Sequence, residues 1–152
     1  AAAEIPGIIG MKDSSANLAY FNQIQYLLKN HSDFTFLVGP EEMMAEFVIM
    51  GGHGGVNGGS NMFPKLYVDL YQASVNRNFE KILHLRDKVM QICTSIYNVG
   101  RFGSSYLKGL KCALSVMGIC NDFMAEPFHR FNEPERKLIV QALENLNYKD
   151  LL

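Results

Sequence analysis

The sequence predicts an α/β fold over residues 1–77, with parallel strands and intervening helices, followed by a helical C-terminal extension over residues 78–152. Short apolar runs alternate with helical patterns in the first half, which is typical of βαβ units and a parallel sheet. Two of these runs, GIIGM and FTFLV, are continuously apolar, as expected of strands buried on both faces. After residue 78 only helical patterns occur.

The elements follow from apolar spacing and from the residues that start or stop them. Asn17 is placed to cap a helix, and Gly39-Pro40 stops the FTFLV strand. Three strands are predicted, at residues 5–11, 34–38 and 54–58. Six helices are predicted, at residues 17–29, 41–50, 63–76, 79–97, 104–117 and 133–147.

A parallel sheet of three strands would leave both of its edges bare. We therefore expect this chain to belong to a larger sheet or to assemble with another chain. Net charge is −1, so no basic field argues for a nucleic-acid or membrane partner. No apolar stretch approaches the ~18 residues of a membrane span. Three cysteines without metal-type spacing predict reduced thiols in a cytoplasmic protein.

Lys12 ends the first apolar run, directly before Asp13 and Ser14. In a barrel of βα units, side chains at the C-terminal ends of strands face the active site. A lysine held there among apolar neighbours is desolvated, which favours the neutral amine. Such an amine can attack a carbonyl carbon and form a Schiff base. The alternative is a solvated lysine paired with Asp13, and spacing alone favours that alternative.

The glycine-rich stretch at residues 51–61 could bring backbone N–H groups close to a ligand, or form a tight turn against a helix. Glu41 and Glu42 could accept hydrogen bonds from substrate hydroxyls, or complement the dipole of the following helix. We expect His53, within the glycine-rich stretch, to have a structural or solvated role. No side chains show metal-ligand spacing, so no metal site is predicted.

Four segments, together spanning residues 5–147, resemble the dihydrodipicolinate synthase / N-acetylneuraminate lyase family. They are GIIGMKDSSANL, FLVGPEE, GGHGGVNGGSNMFPKLYVDLYQA and SSYLKGLKCALSVMGI. The first is similar to the family's Schiff-base lysine segment on the sixth strand, and the next two to its seventh and eighth strands. The fourth is similar to a helix of the C-terminal extension. The resemblance implies the C-terminal part of a (β/α)8 TIM barrel, strands six to eight, followed by a three-helix extension.

By position, the resemblance makes Lys12 the catalytic, imine-forming lysine. The residues it implies for substrate binding are Ser14, Gly39, Glu41, Glu42, Val56 and Gly58. Gly58 falls where the lyases tend to carry serine, which weakens a sialic-acid assignment. The stretch VNGGSN departs from the synthases' VISVTAN-like stretch, which weakens a lysine-biosynthesis assignment. Another 2-keto acid, such as a 2-keto-3-deoxy sugar acid, is then the expected substrate.

The resemblance thus implies a lyase or aldolase that acts on pyruvate or another 2-keto acid through a lysine Schiff base, without a metal or organic cofactor. Its expected partners are that small molecule and either a second copy, as in a dimer or tetramer, or the missing N-terminal half-barrel. The alternative is a catalytically inactive half-barrel fragment or assembly module. A metal-dependent aldolase on the same barrel would need a carboxylate and histidine cluster that the sequence does not show.

Overall fold

The computed structural model describes residues 2–152, so residue 1, where the predicted barrel segment starts, lies outside it. Three parallel strands form one sheet in the order β1-β2-β3, with register Lys12 to Leu37 and Val38 to Gly55. The strands are β1 (Gly10–Asp13), β2 (Thr35–Val38) and β3 (Gly54–Gly55). The predicted parallel sheet is confirmed.

Helices connect the strands and make up the C-terminal half. The α-helices are α1 (Leu18–Leu27), α2 (Met44–Ile49), α3 (Pro64–Val75), α4 (Phe79–Ser95), α5 (Ser105–Val116) and α6 (Glu133–Asn145). Short 3-10 turns occupy Glu41–Met43, Gly59–Asn61 and Tyr148–Leu151. Asn17 caps α1 as predicted, because its Oδ1 accepts a hydrogen bond from the Tyr20 N–H at 3.0 Å.

The first strand begins at Gly10, so its predicted start at residue 5 is wrong. Pro6 has no N–H to donate to a ladder, and Gly7 has a φ of +91°. The Ile8 N–H closes a local turn onto the carbonyl of Ile5 at 3.1 Å. The strand also ends two residues later than predicted, at Asp13, so Lys12 lies inside the strand rather than after it.

The third strand is shorter than the predicted 54–58 and comprises Gly54–Gly55 alone. The Val56 N–H still donates to the Val38 carbonyl at 2.8 Å. Asn57 then donates from Nδ2 to the Gly39 carbonyl at 2.8 Å. A side-chain hydrogen bond thus replaces the backbone ladder, and the chain turns away from the sheet.

One face of the sheet packs against helices. Phe21 of α1 is buried between Phe36 of β2, at 6.0 Å between ring centroids, and Phe47 of α2, at 3.8 Å. Burying one such side chain contributes roughly 1.5–3 kcal/mol. The opposite face carries Lys12 and Leu37 and opens onto a cavity of ≈ 490 Å³.

The apolar core is continuous between the two halves of the chain. One cluster of buried side chains includes Val38 of β2, Leu70 of α3, Ile92 of α4 and Leu143 of α6. The division into a barrel segment at 1–77 and a helical extension at 78–152 stays a prediction. It rests on where strands give way to helices and not on a separation of the core. None of the helices within residues 2–152 combines the length and apolar character needed to cross a bilayer.

Candidate active site

A cleft of ≈ 280 Å³ lies where the strands end. The carboxyl ends of parallel strands meet at one edge of a sheet, and ligands of α/β folds bind outside that edge. Eight residues line the cleft: Lys12, Ser14, Gly39, Pro40, Glu41, Glu42, Val56 and Tyr106. All the predicted site residues except Gly58 therefore line this cleft, and Gly58 lies next to the Tyr106 hydroxyl.

Lys12 and its neighbour Asp13 point to opposite faces of the sheet, as alternation along a strand requires. Asp13 is only 4% exposed and accepts a hydrogen bond from the Ser15 N–H at 2.8 Å. The ion pair between Lys12 and Asp13 in the predicted alternative is therefore wrong, whereas the solvated lysine of that alternative agrees with the exposure of Lys12. Within residues 2–152, Lys12 Nζ makes no hydrogen bond or ion pair, so the amine remains available at the cleft.

The Lys12 side chain passes close to Gly39, on the side where a side chain at position 39 would project. A Cβ added at Gly39 would lie 2.9 Å from Lys12 Cε and closer still to Ser14 Oγ. The absence of a side chain at Gly39 thus makes room for both. The Lys12 side chain is exposed, so the expectation that apolar neighbours enclose the amine is not met within residues 2–152. The physical reason is the open sheet face that carries Lys12.

Glu41 and Glu42 are placed differently. Glu41 is 3% exposed, and its Oε2 accepts a hydrogen bond from the Gly59 N–H at 2.8 Å. Burial raises the pKa of Glu41, an effect opposed by the nearby hydroxyls of Tyr67 and Tyr97 and by the Gly59 N–H. Glu41 thus borders the cleft but directs its carboxyl towards the glycine-rich loop. Glu42 is half-buried and also borders the cleft.

Asn57 connects the glycine-rich loop to the end of β2 through a hydrogen bond to the Gly39 carbonyl. The sequence did not indicate this role. Besides its bond to the Gly39 carbonyl, its own carbonyl accepts from Ser60 Oγ at 2.6 Å. A Cβ at Gly55 would collide with Asn57 Oδ1. The sequence signal was a single amide between glycine pairs, which alone does not reveal its partner. The bonds hold Val56 at the rim of the cleft.

Tyr106 is the second residue that the sequence did not indicate. It lies in the first turn of α5 and contributes its ring to the cleft. A Cβ at Gly58 would collide with the Tyr106 hydroxyl. Tyr106 is distant from Lys12 in sequence, and nothing in its local pattern places it at the strand ends.

The arrangement gathers an amine, hydroxyl groups and a carboxylate at one small opening. An amine can add to a carbonyl, whereas carboxylate and hydroxyl oxygens suit the hydroxyl groups of a substrate. Among residues 2–152, His, Cys, Asp and Glu side chains nowhere gather in threes that could hold a metal ion. Fold and cleft together define a class of protein: a segment of a βα barrel with a lysine at the carboxyl ends of its strands.

Comparison with known proteins makes this class more specific. The sequence model of the dihydrodipicolinate synthetase family matches residues 1–146, and the chain belongs to that family. A solved structure of dihydrodipicolinate synthase from Bacteroides thetaiotaomicron has 60% sequence identity to this chain and a TM-score of 0.91. That match covers 94% of this chain and 48% of the other.

A curated relative is 4-hydroxy-tetrahydrodipicolinate synthase of Pelagibacter ubique, which is 30% identical over 95% of this chain and 48% of its own length. The chain therefore spans about half the length of the curated relatives it matches. The structure of N-acetylneuraminate lyase from Fusobacterium nucleatum, 14% identical with a TM-score of 0.76 over 91% of this chain and 45% of the other, shares the fold. The predicted fold class, strands six to eight of a (β/α)8 barrel and a helical extension, is confirmed.

Proposed function

We propose that the natural protein carrying this chain is a lyase that forms a Schiff base between Lys12 and pyruvate or another 2-keto acid. The observation that carries this proposal is the cleft in which Lys12 lies across Gly39, beside Ser14 and Glu42. Neither the buried Asp13 nor any other described residue pairs with the amine. Family membership supports the same class of reaction.

The reaction begins when the neutral Lys12 Nζ attacks the C2 carbonyl carbon. Uptake of one proton and loss of one water molecule give a protonated imine. The C4 hydroxyl then releases its proton to water and C4 leaves as an aldehyde carbon, while the protonated imine accepts the electron pair of the breaking C3–C4 bond. The resulting enamine carries the pair at C3, and protonation there followed by hydrolysis releases pyruvate and regenerates the amine. In the reverse direction, C3 attacks an aldehyde carbon and the new alkoxide takes up a proton. These steps balance without a metal or organic cofactor.

Two polar side chains at the cleft are available to bind the part of the substrate beyond C3. Glu42 borders the cleft with a group that, when ionised, only accepts hydrogen bonds, and Ser14 adds a hydroxyl. Glu41 is buried and its Oε2 is bonded to the Gly59 N–H, so of the two proposed acids the more exposed Glu42 is the one placed for a substrate hydroxyl. This arrangement supports a hydroxyl-bearing 2-keto acid, such as a 2-keto-3-deoxy sugar acid. We place the protein in the cytoplasm, where thiols such as the exposed Cys120 stay reduced.

The open sheet face supports a partner that completes the barrel. Lys12 and Leu37 lie on that face, beside the ≈ 490 Å³ cavity, and Ile9 at its margin is 76% exposed. An N-terminal half-barrel would cover this face and exclude water from the amine. Exposed apolar side chains on α3 and α4, Val68 and Leu83 among them, suit association into a dimer or tetramer.

Borohydride trapping tests the proposed chemistry. The natural protein is incubated with pyruvate and sodium borohydride, digested and analysed by mass spectrometry. We expect a reduced pyruvate adduct on Lys12, and its loss in Lys12→Arg. The matched control is Lys29→Arg, because Lys29 lies over the Tyr26 ring away from the cleft, and it should retain the adduct. A protein without an adduct at Lys12 would sink the proposal.

The exposure of Lys12 favours one rival, an inactive half-barrel or assembly module. The intact mass of the protein purified from its source separates the two. A polypeptide about twice the length of this chain, as in the curated relatives, supports the enzyme. A product of this chain's own mass with no partner, and with no adduct after borohydride, supports the module.

A further inference from the structure

Tyr106 brings a residue of the helical extension into the cleft that holds Lys12. Its ring packs edge-on against Tyr97, with 4.6 Å between centroids and 74° between ring planes. Its hydroxyl lies against Gly58, in the space that a side chain at that position would occupy. Tyr106 is 37% exposed, so it remains accessible from the cleft that it lines.

The electrostatic surroundings keep the Tyr106 hydroxyl protonated. Burial raises the pKa of Tyr106, and the nearby carboxyls of Glu41 and Glu42 raise it further, whereas the Gly58 backbone acts in the opposite direction. A protonated phenol both donates and accepts hydrogen bonds. Glu42, beside it at the cleft, only accepts when ionised. A hydroxyl group is the ligand chemistry that satisfies both side chains.

We propose that Tyr106 determines specificity by binding a hydroxyl group on the part of the substrate beyond C4. This inference rests on the proposed function, because Lys12 must hold the keto-acid carbon for Tyr106 to reach the far end. Gly58 is the companion of Tyr106, since only a residue without a side chain leaves room for the phenol hydroxyl. The backbone conformation of Gly58, with φ −67° and ψ −42°, is one that alanine also adopts. The constraint at position 58 is therefore the space taken by Tyr106 and not the backbone.

Two aldehydes of similar size separate this role from the chemistry at Lys12. The natural protein condenses pyruvate with D-glyceraldehyde, which carries hydroxyl groups, or with propanal, which lacks them. We expect the unmodified protein to prefer glyceraldehyde. In Tyr106→Phe, kcat/KM for glyceraldehyde should fall about fivefold to tenfold, mainly through KM, while propanal is unaffected. The phenylalanine ring preserves packing on Tyr97, and thermal unfolding checks the fold.

Gly58→Ala provides the second variant, because the added Cβ displaces the Tyr106 hydroxyl without removing it. It should lower the same glyceraldehyde-to-propanal ratio. Tyr20→Phe, on the exposed side of α1, is the control and should leave the ratio unchanged.

The outcomes distinguish the two proposals. A borohydride adduct in all variants with an unchanged aldehyde ratio overturns the role of Tyr106 and leaves the Lys12 chemistry standing. A protein that forms the adduct but condenses pyruvate with neither aldehyde also overturns the role of Tyr106. Absence of the adduct from the unmodified protein overturns both.

Discussion

The imidazole of His53 accepts, at Nδ1, a hydrogen bond from the backbone N–H of Phe36 at 3.0 Å. The backbone N–H of His53 donates to the Phe36 carbonyl at 2.8 Å, and the two rings stack with centroids 6.0 Å apart. A side chain from the glycine-rich stretch thus satisfies a strand N–H in β2. Of the two roles expected for His53, structural or solvated, the hydrogen bond to Phe36 supports the structural one.

His53→Ala should lower the free energy of unfolding by about 1 kcal/mol, because the Phe36 N–H loses its partner. Urea titration of the natural protein measures this change. His129→Ala is the control, since His129 is exposed outside the helices, and its effect should stay within about 0.5 kcal/mol. Equal losses in the two variants would contradict the role of His53.

Gly39→Ala should reduce borohydride trapping of pyruvate at Lys12. The new methyl group would meet Lys12 Cε at 2.9 Å and would collide with Ser14 Oγ, so both side chains must shift. The adduct formed in a fixed time, measured by mass spectrometry, should fall by about tenfold, since small displacements of reacting groups are costly. Gly103→Ala is the matched control, because no atom lies within 4 Å of a Cβ there. Full trapping in Gly39→Ala would show that Lys12 does not depend on this space.

Glu41→Gln should change how stability depends on pH. The folded pKa of Glu41 lies above the ordinary value of 4.5 because of burial, and below pH 4.5 the carboxyl is protonated in both states. As pH rises from there, the unfolded chain releases its proton first, so the free energy of unfolding falls until the folded group ionises. Glutamine lacks this titration yet keeps an oxygen for the Gly59 N–H. The variant should therefore gain stability relative to its parent from pH 4.5 towards neutrality.

Glu41→Ala separates the charge of Glu41 from its hydrogen bond. It too removes the titration, but it leaves the Gly59 N–H without its partner and should cost about 1–3 kcal/mol relative to Glu41→Gln at every pH. Urea titrations at a series of pH values measure both effects. A constant difference between Glu41→Gln and its parent over the whole range would rule out the raised pKa.

Phe21→Ala should lower the free energy of unfolding by about 3–5 kcal/mol, because it leaves a cavity between the sheet and two helices. Phe21 is 1% exposed and contacts Phe36 and Phe47. Leu27→Ala, on the same helix at 75% exposure, is the control and should cost less than about 0.5 kcal/mol. A similar small loss for Phe21→Ala would contradict the assigned core.

Sequence patterns predicted the ends of helices correctly where a capping residue or a proline marks the end. Asn17 marked the start of α1 because its side chain caps the helix, and Pro64 marked the start of α3. The start of β1 was misplaced because Ile5 and Ile9 are apolar, as in a strand, yet lie exposed around a turn at Gly7. Apolar character alone does not distinguish a strand from an exposed turn.

Position along the chain singled out Lys12, Glu41 and Glu42 as candidates, whereas Ser14, Val56 and Gly58 came from the resemblance alone. Glu41 and Glu42 are adjacent acids after Pro40, and no local pattern tells which one is bonded to Gly59. Tyr106 escaped notice because contacts between distant segments depend on how α5 packs. Local sequence thus indicated Lys12 and the acids after Pro40, whereas the other contacts around the cleft depend on tertiary packing.

Positions 58 and 106 share one volume, so the two residues are expected to vary together among related proteins. A relative with a bulkier residue at 58 should carry a smaller one at 106, or a shifted α5. Anyone redesigning the acceptor range of this protein would therefore randomise the pair in a single library, because a side chain added at position 58 alone collides with Tyr106.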